Sequence, residues 1–442
     1  MYIFKYLILY IIYFLSTKNF SKYFHISIIF TITVVIMLNV FSVSYGLICY
    51  HSWKKWMIVL TCVSYVISIG ISQDHRLDIY LLKGLILVGS VGIIISNHLI
   101  LTYICLELQT FSLFILINKD KYSIKSAESS LKYFILGALS SGFVLISLTS
   151  IYNMTGLLNI TELSLVLQGN QYLWNWLLIL VLSILFKLGL FPLHFWIPDI
   201  YEGSSIEILS LLNTLPKISI ISLFIDLNVS NSLVIYTGLL SIVIGALAGV
   251  NQTKVKRLLG YSGISHLGFI IFTLSIQTWF SLELALLYLT LYIVSILGVL
   301  ILMNNTLFSK DLYIIELGGL IYSFPVITVA WSLLFLSIAG LPPLTGFLIK
   351  WWVVWEAISN NYLIVGFIMV LVSSISIAYY LRISKILFFQ NKSSYFNWES
   401  IFYKPETNFT MLYLVNFILY INLFVILNPS LIINLVYGIL YV

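Results

Sequence analysis

Charged residues, cysteines and prolines are all scarce in this chain. Only 9% of its 442 residues are charged and 61% are hydrophobic, whereas a soluble domain carries about 25% charged residues. This balance excludes an ordinary water-facing surface and indicates contact with lipid. The three cysteines, Cys49, Cys62 and Cys105, form no CxxC pair, so neither a disulfide framework nor an iron–sulfur site is expected.

Motifs for nucleotides, metals and nucleic acids are missing as well. The sequence has no P-loop, no strand followed by GxGxxG and no HExxH. The net charge of +6 is modest, and the cations are scattered without a basic stripe, so no nucleic-acid partner is expected. We predict that the chain itself binds no redox cofactor, nucleotide or metal.

Long apolar runs fill the chain instead. A helix that crosses a bilayer needs about 20 apolar residues, and the first run is predicted to be a retained helix and not a removed signal. The predicted spans are 3–16, 25–50, 56–72, 79–96, 98–117, 130–152, 174–203, 206–226, 232–250, 258–276, 281–303, 322–357, 361–388 and 409–428. The sequence therefore predicts an all-α polytopic membrane protein.

Prolines interrupt the two longest runs. Pro192 and Pro198 lie in the seventh predicted helix, and Pro342 and Pro343 follow Gly340 in the twelfth. Proline removes a helix hydrogen bond, and in lipid the freed groups are tolerated only where protein or water satisfies them. Paired breaks are typical of inverted-repeat transporters with a site at mid-depth. A chance recurrence of proline in long helices is the alternative.

Basic residues are distributed unevenly between alternate loops. The odd-numbered loops, counted by the helix that they follow, carry Lys18, Lys22, Arg76, Lys119, Lys121, Lys125, Lys254, Lys256, Arg257, Lys310, Lys385, Lys392 and Lys404. The even-numbered loops carry essentially Lys54 and Lys55. The positive-inside rule then predicts that the odd loops face the matrix or cytoplasm and that both termini lie outside.

Four ionisable residues lie deep inside predicted spans: Glu107, Lys187, Lys217 and Lys350. An ionisable group at membrane depth is energetically expensive and by default marks an ion or proton path. A lysine whose carboxylate partner approaches and withdraws gains and loses proton affinity, so Glu107 and Lys187 suit a switching pair. The alternatives are a static buried ion pair and polar groups that only join helices. For Lys350, snorkelling to the surface is a further alternative.

Other titratable residues are harder to assign. Lys132 begins the sixth span and suits a relay or a surface position equally, whereas Lys83 is predicted to snorkel. His266 suits a water-lined relay, or else it bonds to a backbone carbonyl. The acids after the seventh span are expected in a solvated loop, with a proton-gathering mouth as the alternative; they are Asp199, Glu202 and Glu207.

Six motifs together resemble a known family. They lie at 106–113, 132–142, 186–203, 216–217, 252–266 and 339–350. The most specific stretch reads FKLG at 186–189, PLHFW at 192–196 and PDIYEG at 198–203. Over roughly residues 79–390 the chain resembles the antiporter-like proton-pumping subunits of respiratory complex I, the NADH:quinone oxidoreductase. Within that family it is most similar to the subunit 2 branch, because Lys350 stands where the subunit 4 branch has a glutamate and because no long lateral helix is expected after the fourteenth span.

The resemblance implies a fold and a division into segments. The fold has about 14 transmembrane helices, two inverted five-helix repeats and broken seventh and twelfth helices. Three N-terminal helices are expected in residues 1–78, the repeats in 79–226 and 227–390, and a C-terminal helix in 391–442.

The resemblance also implies proton translocation driven by quinone reduction elsewhere in the complex. Glu107 and Lys187 would form the switching pair, Lys217 the central relay and Lys350 the distal group. Lys132 and His266 are further relay candidates. NADH, FMN, iron–sulfur clusters and ubiquinone would belong to partner subunits. The expected partners are the other membrane-arm subunits, including neighbouring antiporter-like subunits, and lipids.

The cellular location and two other functions complete these expectations. A high content of Ile, Leu, Phe, Tyr and Asn is typical of AT-rich organellar genomes, so the mitochondrial inner membrane is expected, with a plastid relative as the alternative. A cation/proton antiporter of the related Mrp type and a scaffold whose buried charges only fix helix packing are the other functions considered.

Overall fold

A computed structural model describes residues 52–71, 76–120, 123–167, 171–228, 232–306, 312–390 and 409–428. The predicted spans 3–16 and 25–50 lie outside these residues. Within the described ranges the chain is helical and forms no extended strand, only the isolated bridges His98–Asn159 and Lys254–Tyr313. Because lipid offers no hydrogen bonds, a helix that satisfies its own backbone is the conformation expected for these apolar runs.

Sixteen α-helices and one 3₁₀-helix make up the described residues. In chain order they are α1 (Ser52–Ile71), α2 (Leu77–Ile95), α3 (Leu99–Ile117), α4 (Ile124–Thr155), α5 (Ile160–Leu167), α6 (Gln171–Leu188), α7 (Trp196–Gly203), α8 (Ile206–Leu227), α9 (Ser232–Val250), α10 (Val255–Ile276), α11 (Trp279–Thr306), η1 (Ile314–Leu317), α12 (Leu320–Ser323), α13 (Pro325–Ala339), α14 (Thr345–Ser359), α15 (Leu363–Phe389) and α16 (Phe409–Leu427). Among the described residues, nine helices are long and apolar enough to cross a membrane.

The helices belong to two compact units. Of the described residues, unit 1 comprises 52–71, 76–120, 123–167, 171–188 and 207–228, and unit 2 comprises 189–206, 232–306, 312–390 and 409–428. In unit 1, α2 packs along both α1 and α3, while α4 packs on α3 and on α6. In unit 2, α9 packs along α10 and α15, and α11 contacts α13, α14 and α16.

Serine and threonine are compatible with these apolar helices because their hydroxyls bond within the helix. Ser64 Oγ donates to the carbonyl of Thr61, and Ser90 Oγ donates to the carbonyl of Leu87, each one turn earlier. Such bonds keep a hydroxyl satisfied where no water is available. The polar side chains therefore do not interrupt the membrane-crossing runs.

The seventh predicted helix is broken as expected, although only one of its prolines lies at the break. Helix α6 ends at Leu188 and α7 begins at Trp196, with Pro192 between them. Gly189 has a φ of +71°, and a Cβ there would lie 1.9 Å from Ile197 Cδ1. The prediction that Pro198 interrupts the helix is wrong: Pro198 lies in the first turn of α7, where the missing N–H has no partner to lose.

The twelfth predicted helix is also broken, which confirms the prediction from its prolines. Helix α13 ends at Ala339, Gly340 adopts a φ of +89°, and α14 begins at Thr345. Thr345 Oγ1 donates a hydrogen bond to Asn422 Oδ1 of α16 at 2.8 Å. The start of α14 is therefore tied to α16 by two buried side chains.

One described α-helix lies wholly outside the predicted spans. Helix α5 has only eight residues, too few for a membrane span. The Ile160 N–H donates to the carbonyl of Asn97 at 2.8 Å, and the Leu99 N–H donates to the carbonyl of Leu158 at 3.0 Å. These bonds hold the segment before α5 beside the start of α3.

Candidate functional site

Glu107 and Lys187 contact each other in unit 1. Glu107 lies near the middle of α3, and Lys187 lies in the last turn of α6. Glu107 Oε1 is 3.5 Å from Lys187 Nζ, and the side chains are 19% and 6% exposed. The two residues that the sequence predicted to pair are thus brought together. Their separation is longer than the roughly 2.7–2.9 Å of a charge-assisted hydrogen bond.

Other groups lie beside each partner of this pair. Thr110 Oγ1 donates a hydrogen bond to the Glu107 backbone carbonyl at 3.0 Å and lies 3.5 Å from Glu107 Oε2. Lys187 is the penultimate residue of α6, where the negative end of the helix dipole favours a cation. The amine therefore lies where a helix end and a carboxylate both attract positive charge.

Lys217 lies inside α8, directly after Pro216 and one turn after Asn213. Its Nζ donates a hydrogen bond to Asn213 Oδ1, and the side chain is buried. Pro216 lacks the N–H that would bond to the carbonyl one turn earlier. On the same helix, Ser219 Oγ lies 3.5 Å from Gln109 Oε1 of α3, two residues after Glu107. A neutral side-chain amide thus accepts a hydrogen bond from the amine.

Lys132 does not lie in the buried interior of unit 1. Its Nζ is 2.7 Å from Glu128 Oε1, one turn earlier in α4, and the two side chains are 38% and 61% exposed. The sequence left open whether Lys132 is a relay residue or a surface residue. The exposure of its side chain agrees with a surface residue.

Lys350 lies in α14 of unit 2 and points toward the break before that helix. Its Nζ donates a hydrogen bond to the carbonyl oxygen of Ala339 at 2.7 Å, and only 8% of the residue is exposed. Its Nζ also lies 6.0 Å from the centre of the Phe269 ring. The alternative that Lys350 snorkels to the surface is therefore wrong, because its side chain is directed inward to the free end of α13.

His266 of α10 bonds to α11 and borders the same cavity as Lys350. The His266 Nδ1 atom is 2.8 Å from the Tyr288 hydroxyl oxygen. A cavity of about 20 Å³ lies beside them, which is enough for one water molecule. Its polar lining comprises His266, Tyr288, Tyr292, Ser295, Ser337, Thr345 and Lys350. These residues can connect the imidazole to the amine through a water.

Asp199 and Glu202 lie in helix α7 and form ion pairs with the start of α10. Arg257 Nη2 is 2.7 Å from Asp199 Oδ1, and Arg257 Nη1 is 3.4 Å from Glu202 Oε2. Lys254 also pairs with Glu202. The expectation of a loop is wrong, because both acids lie in a helix that packs against the start of α10. Asp199 is still 33% exposed, whereas Glu202 is 16% exposed.

Glu207 is buried in the first turn of α8, which corrects the same expectation for this residue. Its Oε2 atom lies 3.1 Å from Lys119 Nζ and 3.7 Å from Lys83 Nζ. Lys83 is fully buried, so the prediction that it snorkels is wrong. The position of Lys83 near the start of α2 suggested that its amine reaches the membrane surface. Its side chain instead faces inward, toward the Glu207 carboxylate.

Asp226 and Glu356 make contacts that the sequence did not indicate. Lys54 Nζ lies 2.7 Å from Asp226 Oδ2 in unit 1, and both side chains are almost fully buried. Lys54 thus belongs to the first turn of α1 and not to a loop. In unit 2, Glu356 of α14 accepts hydrogen bonds from Thr278 Oγ1 at 2.5 Å and Asn360 Nδ2 at 2.9 Å. An acid near the end of an apolar run was the available signal in both cases.

Comparison with known proteins identifies the family to which the chain is similar. A family model described as NADH:quinone oxidoreductase/Mrp antiporter, TM, matches residues 96–376. NADH-ubiquinone oxidoreductase chain 2 of Metridium senile is 36% identical over 79% of this chain and 94% of its own length. NADH-quinone oxidoreductase subunit N of the Wolbachia of Brugia malayi is 32% identical over 70% of this chain and 69% of its own.

Solved structures share the fold at lower sequence identity. A chain of respiratory complex I from Thermus thermophilus with bound aureothin has a TM-score of 0.81 and 24% identity, covering 93% of this chain and 92% of that chain. A chain of the Mrp complex from Dietzia sp. DQ12-45-1b also has a TM-score of 0.81, with 15% identity over 94% and 90% of the two chains. Because the family model covers more than half of the sequence, the chain belongs to the NADH:quinone oxidoreductase/Mrp antiporter membrane family, as an antiporter-like subunit of the complex I membrane arm.

Proposed function

We propose that this chain translocates protons in the membrane arm of complex I, coupled to NADH oxidation and quinone reduction in other subunits. The observation that carries the proposal is the contact between Glu107 and Lys187, 3.5 Å apart in the interior of unit 1. A carboxylate and an amine placed there have no role in a simple membrane anchor. The names of the relatives, NADH-ubiquinone oxidoreductase chain 2 and NADH-quinone oxidoreductase subunit N, support the same function.

The pair can act as a switch because its electrostatic energy is large enough. With an effective dielectric constant of about 20, two unit charges near 4 Å attract by about 4 kcal/mol. Moving one charge against 100 mV requires about 2.3 kcal/mol. Separation of Glu107 from Lys187 therefore changes the free energy of protonation of the amine by more than the energy needed to move one charge against 100 mV. Withdrawal of Glu107 releases the proton, and its return favours reloading.

Lys217 is proposed as the next proton acceptor in unit 1. Its partner Asn213 is neutral, so the hydrogen bond does not fix the charge of the amine. A neutral amine keeps N–H groups and can still donate to the amide oxygen after it loses a proton. Lys217 can therefore accept and release a proton without a change of partner.

In unit 2, Lys350 and His266 are proposed to exchange a proton through the cavity that both residues line. The Ala339 carbonyl accepts from Lys350 in the charged and in the neutral state, because both forms carry N–H groups. The cavity volume of about 20 Å³ suits one bridging water. Histidine titrates near neutral pH and can pass a proton in either direction. Lys132 is retained as a relay candidate only at the exposed face of α4.

The proposed partners follow from the coupled reaction. Other membrane-arm subunits, including neighbouring antiporter-like subunits, would surround the chain together with lipids. NADH, FMN, iron–sulfur clusters and ubiquinone would be bound by partner subunits. The proposed location is the mitochondrial inner membrane. Its support is the organelle-type composition together with the relative from Metridium senile.

A Lys187→Met variant of the whole complex tests the proposal. The assembled complex is reconstituted in vesicles, and proton uptake driven by NADH oxidation with quinone is measured beside the rate of NADH oxidation. We expect a lower ratio of protons to NADH, because Met cannot carry a proton. Lys385→Met, which changes an exposed lysine of α15, is the matched control and should couple normally. A wild-type ratio in Lys187→Met would reject the role of the pair and favour a scaffold.

A second candidate function is Mrp-type antiport, which the shared family description and the fold of the Dietzia Mrp complex favour. The same vesicles distinguish it. Proton movement that requires Na⁺ and proceeds without NADH or quinone would support an antiporter. Proton movement that requires NADH and quinone and is indifferent to Na⁺ supports the complex I function.

A further inference from the structure

Two lysines share a single carboxylate oxygen at a second place in unit 1. Glu207 Oε2 lies 3.1 Å from Lys119 Nζ and 3.7 Å from Lys83 Nζ. Lys119 follows the end of α3, Lys83 lies in α2, and Glu207 lies in the first turn of α8. Three separate elements of one unit thus bring these side chains together. We call them the Glu207 cluster.

The burial of the cluster is uneven. The side chain of Lys83 is fully buried, while those of Lys119 and Glu207 are each 10% exposed. Lys83 Nζ also lies 5.6 Å from the centre of the Tyr80 ring, which stabilises its cationic form. Glu207 lies in the first turn of α8, near the positive end of the helix dipole. The more deeply buried amine is the one further from the carboxylate oxygen.

We propose that the Glu207 cluster is a second proton-exchanging site, in which Lys83 gains and loses the proton. The two amines compete for Glu207 Oε2, so movement of the carboxylate toward Lys119 removes stabilisation from the Lys83 ammonium. Movement toward Lys83 restores it. The proton leaves the Lys83 amine as H⁺ to a neighbouring acceptor or water, and no electron transfer is involved. Lys119 acts as a positioning residue for Glu207.

The direction of exchange follows from the predicted orientation. Lys119 belongs to an odd-numbered loop, which the positive-inside rule assigns to the matrix or cytoplasmic side. The Glu207 cluster therefore lies toward the side from which protons are taken up. This inference rests on the proposed function and extends it, because it assigns a loading site to unit 1 in addition to the Glu107–Lys187 pair.

Substitution of Lys83 by arginine separates proton exchange from structural support. Arginine keeps the positive charge and can bond to Glu207, but it does not release its proton in proteins. In the vesicle assay we expect Lys83→Arg to lose proton uptake per NADH to the same extent as Lys187→Met. Lys385→Arg, at an exposed position, is the control and should retain wild-type uptake. Wild-type uptake in Lys83→Arg would overturn the proposal, because a fixed charge would then suffice.

A second variant covers the case in which Lys83→Arg does not assemble. The double variant Lys83→Met/Glu207→Gln removes both of these charges, and the amide oxygen of the glutamine can still accept a hydrogen bond from Lys119 Nζ. Assembly is followed on native gels. We expect an assembled complex with the same loss of proton uptake, and full uptake would reject the loading site. Normal uptake in Lys187→Met would contradict the proposed function itself, whereas a defect there beside normal Lys83 variants would contradict this inference alone.

Discussion

Lys350 reaches back across the break in the twelfth predicted helix and donates from its Nζ to the carbonyl oxygen of Ala339, 2.7 Å away. Ala339 is the last residue of α13, and the last carbonyls of a helix have no partner within it. The break supplies an acceptor, and α14 supplies the donor. The amine is thereby held at a buried position by a neutral group.

The position of Lys350 depends on the residue between the two half-helices. A Cβ at Gly340 would lie 2.9 Å from Lys350 Cδ, and the φ of +89° is unfavourable for any other residue. We expect Gly340→Ala to cost roughly 1–2 kcal/mol from the backbone alone. We also expect it to displace the lysine and lower the ratio of protons to NADH. Thermal stability of the complex and vesicle proton uptake measure the two effects.

Gly137→Ala in α4 is the matched control for this change. Among the described residues, no atom lies within 4 Å of the added methyl group, and the backbone there is helical. Stability and proton uptake should both remain at the wild-type level. If Gly340→Ala also pumped normally, the close approach of the lysine chain to the glycine would have no functional importance.

Tyr288→Phe tests the contribution of the bond to His266. The hydroxyl lies 2.8 Å from His266 Nδ1, and the partner of one ring nitrogen influences which nitrogen carries the proton. Removal of a hydrogen bond of this kind typically costs about 0.5–1.5 kcal/mol. We expect slower proton uptake at an unchanged level of assembled complex. Tyr236→Phe, at an exposed position of α9, should behave like the wild type.

The buried pair Lys54–Asp226 is expected to matter for stability. Its atoms are 2.7 Å apart and almost fully buried. Removal of one partner from a buried ion pair typically costs about 3–5 kcal/mol, because the other charge stays buried. Lys54→Met should therefore lower the thermal stability of the complex strongly, and Lys54→Met/Asp226→Leu should recover most of the loss. A double variant as unstable as the single one would show that the loss of stability comes from altered packing and not from an uncompensated buried charge.

The half-exposed pair Asp199–Arg257 should respond differently. Its atoms are also 2.7 Å apart, but the side chains are 33% and 36% exposed. Exposed pairs usually contribute less than about 1 kcal/mol, because water and salt screen them. We expect Asp199→Asn to change thermal stability little. A loss as large as that of Lys54→Met would mean that this pair is shielded in the assembled complex.

The breaks and the central pair could be predicted because each has a strong local or chemical signal. Prolines in runs too long for one crossing indicated the interruptions at 189–195 and 340–344. A lone acid and lone bases within apolar spans restricted the choice of ion-pair partners, and Glu107 does contact Lys187. The function of these residues stays a prediction.

The direction in which a side chain points could not be predicted. These helices are apolar on all sides, so no amphipathic periodicity marks their buried face. Lys83 was therefore assigned to the surface although it is fully buried beside Glu207. The pair of Lys54 and Asp226 joins residues far apart in sequence, and nothing in either local segment indicates the other.

The final described helix illustrates how far such a contact extends. Helix α16 carries no charged residue, and most substitutions within it would replace one apolar residue by another. Yet Asn422 bonds to Thr345, which opens the helix that carries Lys350. A substitution of Asn422 would remove this bond to Thr345, which lies five residues before the titratable amine of Lys350. Variants in α16 therefore belong among those to be tested for defects in proton uptake.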